Sequence, residues 1–124
     1  MHRSRLVAFV IDCQTTDPGA AAEFWGAALN RKPKTDADDA RYVGLVGPEA
    51  EPMMMVQAVD HPSRIHLDIE SDDVDAEVAR LEKLGARRVQ KVRTWWVMEA
   101  PSGHRFCVVR PQRGPLGADA NEWP

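Results

Sequence analysis

The sequence is poor in cysteine. Two among 124 residues, Cys13 and Cys107, are too few for a disulfide framework and too far apart for a structural zinc site. No apolar run approaches the ~20 residues that span a bilayer. The apolar stretch behind the basic start meets Asp12 too early for a signal peptide, so a cytoplasmic protein without membrane contact is expected. Positive charge is not in excess either. Sixteen Lys and Arg stand against 19 Asp and Glu, a net charge of −3, and phosphate backbones are bound by clustered basic surfaces. No nucleic-acid partner is expected. A Gly-x-Gly-x-x-Gly or P-loop pattern is lacking, which excludes the usual phosphate cradles. The acidic run Asp36, Asp38 and Asp39 lacks the glycine and distal glutamate of a calcium loop and reads as a solvated turn. What is there is 44% apolar and 28% charged, the balance of one folded globular domain.

That domain carries an internal echo. VIDCQTTD at 10–17 and HLDIESDD at 66–73 are alternating strands that end in acids and run into helical patterns. The first helix is predicted over 18–29, capped by Asp17 with Pro18 at its first position; Ala21, Phe24, Trp25, Ala28 and Leu29 form its apolar face. The second is predicted over 72–84, capped by Ser71 or Asp72, with Val74, Val78, Leu81 and Leu84 as its buried stripe and Gly85 at its C-terminal stop. Strand patterns follow each helix, at 31–35, 41–46 and 53–59, then at 87–92, 95–99 and 105–110. The reading is α+β, with βαβββ written twice. Module one covers about 5–60 and module two about 64–111. Residues 112–124 form a C-terminal tail in which Trp123 is expected to dock on its own domain or on a partner.

Strand alternation sorts side chains by face. Phe9, Ile11 and Cys13 oppose Val10, Asp12 and Gln14, while Leu67 and Ile69 oppose His66, Asp68 and Glu70. The apolar sets belong under the helices and the polar sets on the other side. Trp95 and Trp96 must face opposite ways, as must neighbours in the run Met53 to Met55.

Asp17-Pro18 with Phe24-Trp25, RIHLD at 64–68, DAEVARLEKLGA at 75–86 and WWVMEAPSGHRFCVVRP at 95–111 together resemble the vicinal oxygen chelate superfamily. Glyoxalase I, bleomycin-resistance proteins and extradiol dioxygenases belong to it, and the chain is most similar to its small bacterial glyoxalase-like members. The resemblance implies paired βαβββ modules around a central cavity, over a single glyoxalase-like domain at 1–111. It also implies a divalent metal held by one side chain from the first and last strand of each module. Those positions fall on Val10, Gln57, His66 and Cys107. Val10 cannot ligate, and Cys107 stands where a glutamate is the family's choice.

The expectation is therefore a protein that binds a small organic molecule between its modules, with no metal or other cofactor. Asp12, Gln14, Gln57, His66, Asp68 and Glu70 would meet the polar end of the ligand. Whichever of Trp95 and Trp96 faces inward would stack on its flat part, near Cys107. His66 is the best catalytic candidate. The alternative is a lyase, isomerase or dioxygenase, either metal-dependent with an unusual ligand set or working by acid/base chemistry through His66. The resemblance also implies a homodimer.

Overall fold

The computed structural model describes residues 1–124. Its elements are β1 (His2–Gln14), α1 (Pro18–Leu29), β2 (Lys32–Thr35), β3 (Tyr42–Val46) and β4 (Met53–Val59), then β5 (Arg64–Ser71), α2 (Val74–Lys83), β6 (Arg87–Val92), β7 (Trp95–Glu99) and β8 (Arg105–Val109), and last a short β9 (Asn121–Trp123). The class is α+β, and βαβββ is written twice. Two compact units result: Ala8–His66, here the first, and Met1–Val7 with Leu67–Pro124, here the second. No helix is long and apolar enough to cross a membrane.

In the first unit the strand order is β2-β3-β4-β1. The two hairpin-linked pairs are antiparallel, while β4 runs parallel to β1, as a strand reached through a helical crossover does. Pro33 lies in β2, the edge strand of this order, which is where a sheet tolerates a residue without an N–H. Asp17 caps α1 by accepting from the Ala20 N–H at 3.1 Å, and the helix ends at Asn30, whose φ of 54° is left-handed. Ile11, Ala22, Val43, Leu45 and Val56 form the core, with Cys13, Ala21, Trp25 and Met54 against it.

The buried face of α1 is not the one its large side chains predict. Ala22 and Gly26 are buried, while Ala28 and Leu29 are exposed and Phe24 is 64% exposed. Close approach explains the rotation. A Cβ on Gly26 would sit 2.6 Å from the Arg31 carbonyl oxygen, so the helix turns its smallest residues inward.

In the second unit β6-β7-β8-β5 are neighbours in that order, with β5 and β8 parallel and the other pairs antiparallel. The cap of α2 is Asp73 rather than Ser71 or Asp72, and the helix starts at Val74. Asp73 Oδ1 accepts from the Ala76 N–H at 3.0 Å. Ser71 Oγ accepts from the Asp73 N–H at 3.1 Å, and Asp72 Oδ1 is taken by the Arg3 N–H at 2.7 Å. Gly85, at φ 105°, carries the chain out of the helix. Val78, Met98 and Val108 are the core, with Val74, Leu81, Trp96 and Phe106 packed around them. Leu84 is 66% exposed because it is the cap residue and lies beyond the last buried turn.

The C-terminal segment is docked on its own chain. β9 pairs antiparallel with the start of β1, His2 opposite Trp123 and Ser4 opposite Asn121. The Trp123 indole N–H donates to Ser4 Oγ at 2.9 Å, and the Arg80 guanidinium lies 3.8 Å from the ring centroid. Beneath this contact Glu77 is fully buried and accepts from His2 Nε2 at 2.8 Å and from Arg80 Nε and Nη2 at 2.7 and 2.9 Å. Burial pushes the Glu77 carboxyl up, but hydrogen bonds from Arg80, His2 and Ser4 outweigh it and hold the group at about 2.

Candidate functional site

Register assigns the helix-free face of the first unit. Ile11 and Val56 are partners and both lie in the core under α1. Their neighbours Asp12 and Gln57 are also partners, and so turn the other way with Val10 and Met55. Tyr42, opposite Gln57 on β3, joins them, a residue the sequence reading did not single out.

Asp12 is the centre of this face. It is 2% exposed, and its Oδ2 lies 2.8 Å from His66 Nδ1 and 3.7 Å from Arg64 Nε. Its Oδ1 is buried with no hydrogen-bond partner, an arrangement that is rare for a polar atom and calls for an explanation. The charge of Asp12 acts on its neighbour as well. Burial first, and then Asp12, pushes the Cys13 thiol up, which keeps it protonated and poorly nucleophilic. Gln14 takes no part: it is exposed, and its side chain donates to the Asp60 carbonyl at 3.0 Å.

The second unit has a helix-free face of its own. Phe106 and Val108 pack in the core beneath α2, so Cys107 turns away, opposite Asp68 on one side and Val97 on the other. Trp96 packs on the core. Alternation then puts Trp95 on the face of Val97, Cys107 and Asp68. Glu99 shares that parity and accepts from Arg87 Nε at 2.7 Å and Arg105 Nε at 3.3 Å. The Arg87 hydrogen bond, aided by Arg105, holds its carboxyl below the usual carboxylate range. Glu70 is fully buried. Its two oxygens accept from Arg5 Nε at 2.7 Å and the Gln112 N–H at 2.8 Å, and Arg5 also pairs with Asp119. The Glu70 hydrogen bond raises the Arg5 guanidinium further. Nothing near Glu70 in sequence announces Arg5 or the Gln112 backbone as partners. A surface depression of about 440 Å³ in this unit is lined by Asp73, Lys91, Arg93 and Arg110 among others, none of them a predicted site residue.

The family's metal needs four donors. Of the corresponding positions here, Val10 is aliphatic and 1% exposed, and the thiol of Cys107 is a soft donor where oxygen suits a hard cation. Val10 and Cys107 therefore do not fit that four-donor set.

A glyoxalase-like domain model matches residues 8–109. No curated protein matches the chain. Among solved structures, methylmalonyl-CoA epimerase from Mycobacterium tuberculosis is similar at 19% identity, with 86% of this chain and 87% of that chain covered and a TM-score of 0.62. An NAD-dependent benzaldehyde dehydrogenase chain from Legionella pneumophila is similar at 14% identity, over 85% of this chain and 98% of that one, with a TM-score of 0.62. A hypothetical protein from Bacillus halodurans is similar at 9% identity, over 92% and 99%, with a TM-score of 0.63. Likeness at these identities speaks for the fold alone. By its matched domain and its fold, the chain belongs to the glyoxalase-like domain family of the vicinal oxygen chelate superfamily.

Proposed function

We propose that this glyoxalase-like domain binds a small organic molecule on the helix-free sheet face around Asp12, without the metal of its superfamily. The observation that carries the reading is the buried Asp12 carboxylate, held at one oxygen by His66 and left without a protein donor at the other. A ligand bringing an N–H or O–H would complete it, with Gln57 and Tyr42 beside it on the same face. Trp95, Asp68 and Cys107 give the second unit a helix-free face of comparable character, an aromatic with few polar groups, which is what organic ligands favour.

A second reading rests on the same pair. A histidine that donates one ring nitrogen to a carboxylate is also the usual preparation of a metal-bound imidazole, or of a general base. Metal analysis of the purified protein separates the two, together with the intrinsic Trp fluorescence of wild type and His66→Ala titrated with phenol. Metal-free protein whose fluorescence responds to phenol only with His66 present supports binding. Stoichiometric zinc, nickel or manganese that is lost in His66→Ala replaces it with the metal-dependent enzyme. We further propose a cytoplasmic homodimer; sedimentation as a monomer would defeat the dimer.

A further inference from the structure

The second unit gathers positive charge at one end of its sheet. β5 and β8 run parallel, so the last residue of β5, Ser71, and the residue that follows β8, Arg110, come to the same end. β7 is antiparallel to β8, which brings the two-residue β6–β7 turn, Arg93-Thr94, there as well. Lys91 is opposite Trp96, and Trp96 packs on the core beneath α2, so Lys91 stands on the helix side of the sheet. The start of α2 is the facing wall. Between these walls is the depression of about 440 Å³, within the usual size of small-molecule sites. Its charges are not equally compensated. Asp72, Asp73 and Asp75 line the wall at the start of α2, where the helix dipole favours negative charge. Asp72 and Asp73 also accept backbone N–H groups, from Arg3 at 2.7 Å and Ala76 at 3.0 Å. Lys91, Arg93 and Arg110 are exposed along the other wall and make no ion pair. Arg93 is held at φ 50°, the left-handed region that a hairpin turn ordinarily gives to glycine or asparagine. Side chains kept in such strained backbone cluster at ligand clamps.

We propose that this depression binds the phosphate group of a small molecule, held by Lys91, Arg93 and Arg110. A phosphate group carries close to two negative charges at neutral pH and presents three acceptor oxygens, one for each cation. A carboxylate brings one charge and two oxygens, and leaves a cation over. The two guanidinium forks suit the spacing of phosphate oxygens. The acidic wall repels a second anionic group, so a single phosphate is accepted and a polyanionic backbone is not. The site is independent of the face around Asp12 and of the function proposed for it.

The experiment follows the backbone amides of the ¹⁵N-labelled full chain at about pH 7.5, above the second ionisation of phosphate. Inorganic phosphate is titrated in at an ionic strength held constant with sodium chloride, and sodium acetate is titrated in parallel. Phosphate should shift the amides of residues 72–75, 91–94 and 110 along saturating curves, and acetate should bind more weakly. Arg93→Gln and Arg110→Gln each remove an exposed charge and should weaken phosphate binding about fivefold apiece. Asp75→Asn relieves the opposite wall and should tighten it. Absent or non-saturating shifts in wild type overturn the site, whichever variants fold. Acetate binding as tight as that of phosphate overturns the choice of phosphate. Unchanged affinity in folded Arg93→Gln and Arg110→Gln overturns the part given to the cations.

Discussion

Replacing Glu77 by glutamine removes one negative charge from the inside of the second unit while keeping the shape of the side chain. Glu77 is fully buried, bonded to His2 and bidentate to Arg80, which in turn stacks on Trp123. Its carboxyl is held at about 2 against an ordinary 4.5. At ~1.4 kcal/mol per pH unit, that interval corresponds to roughly 3 kcal/mol of folding stability. The sign follows from the direction. A carboxyl with a lowered folded-state value contributes fully above 4.5, where the unfolded chain is ionised too, and the contribution is lost as pH falls towards 2. A second route gives the same scale, since breaking a buried ion pair by removing one partner costs about 3–5 kcal/mol. Glu77→Gln should therefore unfold at lower urea concentration at pH 7, by about 2–4 kcal/mol, and the two proteins should converge between pH 4.5 and 2. Urea titrations at half-unit pH steps measure both effects. Parallel stability curves for wild type and variant over that window, or a loss under ~0.5 kcal/mol at neutral pH, would refute the network as a source of stability.

Gly47→Ala should destabilise the first unit by about 1–3 kcal/mol, because the new Cβ would fall 2.5 Å from the guanidinium of Arg31, which is fixed by the Leu45 carbonyl and Glu51; thermal unfolding checks it. Trp123→Ala, losing the Arg80 stack and the bond to Ser4, should cost about 1–3 kcal/mol and speed amide exchange at residues 2–4, read by hydrogen exchange. Asp17→Ala and Asp73→Ala each remove the side-chain acceptor of a helix start and should lower unfolding free energy by about 1 kcal/mol apiece. Asp72→Ala removes an acceptor for the Arg3 N–H but no helix cap, so its helical circular dichroism should match wild type.

What the sequence determined by itself is everything that depends on near neighbours. The strand period of two put Ile11 and Cys13 under a helix and Asp12 on the opposite face, and both assignments agree with the core of the first unit. The helix over 18–29 is legible because its cap Asp17 and its first-position proline Pro18 are adjacent in the chain. Local signals were ambiguous where several acceptors stand in a row, as in Ser71, Asp72 and Asp73, and there the choice fell to Arg3, which occupies Asp72 from 69 residues away. Pairing and rotation, by contrast, are properties of the folded chain. Asp12 and His66, 54 residues apart, were both candidates, yet the hydrogen bond between them depends on the closeness of two strands. Glu70 and Glu77 carry the same carboxylate as any solvated glutamate, and they are buried because Arg5 and His2 arrive from 65 and 75 residues away to compensate them, His2 joining Arg80 one helical turn from Glu77. The face that α1 buries is set by how near its backbone comes to Arg31 and Pro33 at Gly26. Periodicity is written in the spacing of side chains along the chain. Compensation of buried charge and the distance of closest approach belong to pairs of distant atoms, and only the folded chain brings those together.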